Sequence, residues 1–240
     1  MEFRPMPKTP RLSREIVITE KIDGTNASVY VQDAEELNDF TARITARAGQ
    51  YLLFAGSRTR WITPEDDNFS FAEWVHANAH ELVKLGPGHH FGEWWGKGIQ
   101  RGYGLEERRF SLFNVGRWWD WHIAGHAPVG LEITPPCCHV VPVLDRGSLF
   151  NMQPVDFALN LLRDQGSVAA PGFMDPEGIM VYHTAASQLF KKTLRGDEEG
   201  KHAEAHPKKE KPPRAPRDPS KCGRRLAQLP FAGPDRRKPK

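Results

Sequence analysis

The sequence is poor in cysteine, with three in 240 residues: Cys137, Cys138 and Cys222. So small and odd a number makes no disulfide framework, and it fits a reducing, cytoplasmic setting. Long apolar runs are missing too. No stretch reaches the ~18 consecutive apolar residues of a transmembrane helix, which excludes that class. The segment from Met1 to Pro10 is polar and proline-containing, so it does not read as a secretory signal. There is no internal repeat, no G-x-S-x-G nucleophile elbow and no Walker phosphate loop.

What is present suffices for one sizeable core: 39% hydrophobic residues and 10% aromatic. Charge is nearly balanced overall, at +3, but unevenly spread. Residues 1–194 carry 19 Lys+Arg against 23 Asp+Glu, a net of −4, and residues 195–240 carry 14 against 7, a net of +7. The chain therefore divides into a mildly acidic body, 1–194, and a basic tail, 195–240. The tail is crowded with Lys, Pro, Glu and Arg, too little apolar material to offset the entropy of ordering, and is expected to be disordered. Leu226 to Phe231 is a small apolar island within it. A basic tail suits a polyanionic partner.

The body reads as mixed α and β. Strands are expected at Ile16–Thr19, Ala27–Val31, Arg43–Ala48, Leu52–Ala55, Arg109–Val115, Val140–Leu144, Gly178–Tyr182 and Gln188–Leu194. A helix is expected over 71–85, with a Ser70/Glu73 capping box and Gly86-Pro87-Gly88 at its end. A second is expected over Pro154–Gln165, with Phe157, Ala158, Leu161 and Leu162 on its apolar face. Strands come in clusters rather than in βαβ alternation, which predicts an α+β fold of mainly antiparallel sheets with flanking helices.

Lys21 ends the first strand beside the turn Asp23-Gly24. A lysine amine becomes a nucleophile when partial burial or nearby positive charge disfavours the ammonium. Alone, this short pattern describes a surface hairpin. Further segments follow it in order: Gly56-Ser57-Arg58-Thr59, then Phe91-Gly92-Glu93-Trp94-Trp95-Gly96-Lys97-Gly98-Ile99-Gln100, then Phe110 to Val115, Glu177-Gly178-Ile179-Met180-Val181, and Leu189 to Leu194.

This ordered series resembles the covalent nucleotidyltransferase superfamily of ATP-dependent polynucleotide ligases and capping enzymes. EKIDGTN and GEWWGKGIQ are similar to the RNA ligase 2 type, over Glu20 to Leu194. The resemblance implies a nucleotidyltransferase (adenylation) domain over 1–194, with ATP and Mg2+ as cofactors and RNA as partner. It implies a ligase that joins an RNA 3′-hydroxyl to a 5′-phosphate through a lysyl-AMP, as in RNA repair. Nick, overhang and loop substrates all stay open, a nicked duplex or an RNA/DNA hybrid among them. Lys21 is then the nucleophile, and Glu20 and Asn26 hold the nucleotide. Arg58 lies near the ribose and the nucleic-acid end, with Arg60 as rival. Glu93 accepts from the ribose, and Phe113 stacks on the adenine, with Phe110 as the alternative. Glu177 binds metal and Lys191 contacts the α-phosphate. The usual KxK of the last motif is here Lys191-Lys192-Thr193, so a strand puts Thr193 where the second lysine stands.

Other readings stay open. A DNA ligase or a capping guanylyltransferase usually carries an OB-fold domain after the last motif, and the residues after Leu194 do not compose one. A non-catalytic RNA-binding protein could keep the fold. Arg58, Arg60, Lys97 and Arg101 are candidates for a phosphate-binding patch. Trp94 and Trp95 read as core or wall, and His89-His90 as solvated loop residues. Cys137-Cys138-His139 lacks the spacing of a structural zinc site.

Overall fold

The computed structural model describes residues 3, 5–36, 43–147 and 151–196. Most of the tail, with its apolar island and Cys222, lies outside the described residues. Among those described, the chain is sheet-dominated α+β, with two main sheets and few helices. The smaller sheet runs β11-β1-β12-β13, built from β1 (Ile16–Lys21), β11 (Val143–Gly147), β12 (Gly178–His183) and β13 (Gln188–Thr193), all antiparallel. The larger runs β10-β7-β6-β2-β4-β3, with β5 (Trp61–Ile62) also on β4. Its strands are β2 (Thr25–Asp33), β3 (Ala46–Ala48), β4 (Tyr51–Ser57), β6 (Gly88–Gly96), β7 (Arg108–Leu112) and β10 (Cys138–Val140). The β10–β7 pair is parallel, and the rest are antiparallel. A short parallel pair, β8 (Trp118–Trp119) with β9 (Glu132–Ile133), stands apart.

Strand alternation gives each sheet one covered face. In β1, Ile16 and Ile18 are fully buried under helix α3 (Met152–Gln165), whose Val155, Ala158, Leu159 and Leu162 recur at one helical face. The predicted face is thus turned: Phe157 is 59% exposed, and Val155 and Leu159 take the buried places. Asn151 caps this helix by accepting from the Gln153 N–H, and Gly166 closes it. In the larger sheet Val29, Val31, Leu53, Ala55, Trp94, Phe110 and Leu112 pack beneath α1 (Phe71–Ala77) and α2 (Ala79–Leu82). The single helix expected over 71–85 is broken at Asn78 and ends in a 3-10 turn at Val83–Leu85.

Three other expectations change. Ser70 sits at φ 54° and makes no side-chain cap. The cap comes from further back: the Asp67 carboxylate accepts from the N–H groups of Ala72 and Glu73 at 2.8 and 2.9 Å. The strand expected at Val140–Leu144 is two strands, β10 and β11, in different sheets, because the chain crosses from one to the other at Val141-Pro142. The segment holding His89 and His90 is strand β6, and no loop. No described helix is long and apolar enough to cross a membrane.

The Asp67 cap has a direct check. Asp67→Ala lowers stability by about 1 kcal/mol in chemical denaturation, whereas Ser70→Ala leaves it nearly unchanged.

Candidate active site

The two sheets meet where β1 passes into β2 through Ile22-Asp23-Gly24. Gly24 is required there for space: a Cβ would stand 2.5 Å from the Trp94 carbonyl oxygen and 2.9 Å from Glu93 Cγ. Beyond this turn the faces not covered by helices look onto a cavity of about 850 Å3. From the small sheet come Val17, Thr19, Lys21, Met180 and Lys191, one face of β1, β12 and β13. From the large sheet come Asn26, Phe91 and Glu93, with Arg58 and Phe113 at strand ends.

Lys21 Nζ donates to Glu177 Oε2 at 2.5 Å, with the two side chains 23% and 18% exposed. Glu177 precedes β12, and Lys21 pairs in register with Gly178, so the ladder itself brings the charges together. A clamp holds both ends of the contact. Arg101 Nε binds Asp23 Oδ2 at 2.9 Å, and its Nη1 donates to the carbonyl of Asp175 at 2.8 Å and lies 3.1 Å from that residue's carboxylate. The Asp23 N–H donates to the Tyr103 hydroxyl at 2.8 Å, and burial pushes that phenol well above its ordinary range. The guanidinium thus joins the turn after Lys21 to the segment before Glu177.

Glu93 stands opposite Asn26 across the β2–β6 ladder, and Asn26 Nδ2 donates to Glu93 Oε2 at 3.0 Å. Burial pushes the Glu93 carboxyl up to about 7, against the opposing pull of Lys21, the Asn26 amide and the Gly24 N–H. Nearby Glu177 adds to the rise.

Seven of the eight expected site residues border this one cavity: Glu20, Lys21, Asn26, Arg58, Glu93, Phe113 and Lys191. The eighth, Glu177, reaches it through Lys21. Glu20 is set apart by its side chain, which lies on the opposite face of β1 and is 1% exposed. Its carboxylate accepts from Ser167 Oγ at 2.6 Å and from the N–H groups of Val168 and Ala169, and burial raises its pKa. That carboxylate anchors the loop after α3.

The rival residues separate cleanly. Phe110 is fully buried under α1, whereas Phe113 is 41% exposed on the cavity. Arg60 is bound bidentately by Asp66, and Arg58 has no ion-pair partner among the described residues. Lys192 pairs with Ile179, which is buried on the α3 side, so it lies on the face away from the cavity, and Thr193 donates its hydroxyl to the Arg195 carbonyl. The expected basic patch is not a free one: besides Arg60, Lys97 is paired with Glu106 and Arg101 is the clamp. Trp94 and Trp95 are core residues, 2% and 1% exposed.

Sequence reasoning missed two contributions. Arg117 and Arg146 border the far end of the cavity. A row of rings also runs along the helix-free face of the large sheet from the cavity wall: Phe91 on His89 (5.5 Å, 6°), both lining the cavity, His89 on Tyr30 (4.3 Å, 23°) and His89 against Trp61 (5.7 Å, 24°). The alternation of β6 could have found it, since His89, Phe91 and Glu93 share one face.

Residues 14–193 match the RNA ligase family, and the chain belongs to that family. Three solved structures of Naegleria gruberi RNA ligase are similar. The enzyme with PPi is 17% identical, at a TM-score of 0.43, over 75% of this chain and 49% of that one. One point mutant with ATP and Mn is 17% identical (TM-score 0.45, 75% and 49%), and another is 16% identical (0.46, 77% and 51%). This chain spans about half the length of those proteins. No curated protein matches it.

The Glu93 environment sets a pH dependence. Its carboxyl titrates higher in the folded protein than in the unfolded chain, so stability falls as pH rises from about 4.5 through 7. Glu93→Gln removes the buried charge. It should stabilise the protein by on the order of 2 kcal/mol at pH 8 and change it little at pH 5, measured as melting temperature against pH.

Proposed function

We propose that the chain is the nucleotidyltransferase (adenylation) domain of an ATP-dependent RNA ligase, residues 1–194, that joins a 3′-hydroxyl to a 5′-phosphate through a lysyl-AMP. The observation that carries this reading is the convergence of Lys21, Glu177, Glu93, Phe113, Arg58 and Lys191 on one cavity, in a chain of the RNA ligase family. The cavity's 850 Å3 falls within the roughly 300–1,000 Å3 usual for small-molecule sites. One wall offers an aromatic face, another a buried carboxylate, and the small sheet two lysines. That set matches a nucleoside triphosphate: ring for base, acceptor for sugar hydroxyl, cations for phosphate.

In this proposal the Lys21 nitrogen attacks the α-phosphorus. The N–P bond forms, the bond to the β-phosphate oxygen breaks, and pyrophosphate leaves with the electron pair. Glu177 is placed to take the amine's proton. Lys191, with no ion-pair partner among the described residues, neutralises charge on the α-phosphate. The polynucleotide's 5′-phosphate oxygen then attacks the same phosphorus and returns the lysine as amine. In the last step the 3′-hydroxyl attacks the activated 5′-phosphate, and AMP departs. Glu177 also suits Mg2+, which takes one or two carboxylates together with substrate phosphates and would offset their negative charge.

RNA is the proposed partner. Arg58 and Arg146 lie along the cavity, and the ring row from Phe91 to Trp61 offers stacking surface for bases next to the reacting end. The basic tail, 195–240, would add salt-sensitive attraction.

Intact-mass measurement after incubation with ATP and Mg2+ tests the class. The full chain should gain one AMP, and Lys21→Ala should gain none. RNA binding without any adduct would replace this reading with a non-catalytic binding module, and labelling from GTP in place of ATP with a capping-type enzyme. The ring row has its own check. Trp61→Ala, in the row but outside the cavity lining, should form the adduct like the parent protein but bind single-stranded RNA about tenfold more weakly in filter binding.

A further inference from the structure

A second cluster of chemically competent side chains lies outside the cavity described above. Asp120, His122 and His139 each place a ligating atom within 4.8 Å of the others. Asp120 directly follows β8, His122 lies in the exposed turn after it, and His139 comes from β10. The chain thus brings together residues 17 apart. The two imidazoles stack at 4.1 Å between centroids and 17° between planes. His139 Nδ1 lies 3.4 Å from Asp120 Oδ2. That is long for an N–H···O hydrogen bond. It equals the separation of two ligands held about 2.05 Å from a tetrahedral zinc ion, roughly 3.3 Å.

The surroundings orient the set. His122 Nε2 lies 3.0 Å from the Pro136 carbonyl oxygen. A carbonyl can only accept, so that nitrogen carries the proton and Nδ1 is left with its lone pair, as in metal-ligating histidines. The Asp120 carboxylate is 7% exposed and fixed by the N–H groups of His122 and Val140 at 2.8 and 2.9 Å. Two imidazoles and one carboxylate suit a borderline divalent cation, Zn2+ above Mg2+, with a fourth position open to water. Cys137 and Cys138 lie beside this segment but are not among the ligands.

We propose that Asp120, His122 and His139 form a Zn2+-class binding site, separate from the nucleotide cavity, that pins the 120–139 segment to strand β10. Because β10 pairs with β7, the ion would stiffen the strand that leads into Phe113.

The test is calorimetric titration of the chelator-stripped full chain with Zn2+ in excess Mg2+, with Co2+ absorption as a spectroscopic check. About one equivalent of Zn2+ should bind, with a rise in melting temperature. His122→Ala removes an exposed side chain, so the fold should persist by circular dichroism while affinity drops about tenfold or more. A control variant, His202→Ala with His206→Ala, removes two tail histidines and should bind as the parent does. Parent-like binding by His122→Ala, loss of binding in the tail variant, or no binding by the parent chain overturns the proposal.

Discussion

The ion pair between Lys21 and Glu177 is the contact around which the rest is arranged. Neither residue is fully buried, and a partly exposed ion pair in isolation contributes little. Here its position is fixed from outside. The β1–β12 ladder sets the register of Lys21 against Gly178, and Arg101 fastens the turn on one side and the Asp175 segment on the other. The amine is therefore oriented by backbone pairing and by a guanidinium that never enters the cavity. Such preorganisation suits the nucleophilic role proposed for Lys21, because little would have to be reorganised as the reaction begins.

The second constraint is the cost of burying Glu93. A carboxylate with 8% exposure beside a hydrogen-bonding amide has few partners unless a hydroxyl arrives. The protein carries that cost in its resting state, and in the proposed reaction a sugar hydroxyl would relieve it. Glu20 is the contrast, since burial raises its pKa as well, but a hydroxyl and two backbone N–H groups satisfy it permanently. Two buried acidic residues thus divide into an anchor, tied to the loop after α3, and a carboxylate held by Asn26 and the Gly24 N–H at the cavity wall.

Much of this was legible because it is local. The β-branched runs before and after Lys21 fix two strands and the turn between them, and the ordered motifs name seven residues that border one cavity. The choice of Phe113 over Phe110 also follows from alternation, since Phe110 and Leu112 share the core face. What escaped depends on distance in space. Strand β6 was hidden because His89 to Trp95 has few β-branched residues and begins and ends with glycine. Arg101 as a clamp needs coordinates, because nothing in spacing links an arginine to an acid 78 residues away; the Asp67 cap and the Arg60–Asp66 pair are local, but each is set by how the loop before α1 turns back, which the residue types do not fix.

Lys191 stands on β13, which among the described strands has a neighbour on one side only. Its ladder to β12 alone holds it over the cavity. Edge strands fray before central ones, so the positive charge that Lys191 holds over the cavity is carried by the least secured part of its sheet. Warming or mild denaturant would then loosen Lys191 while Lys21, in the interior of the same sheet, stays in place; for the proposed reaction, inactivation would precede melting.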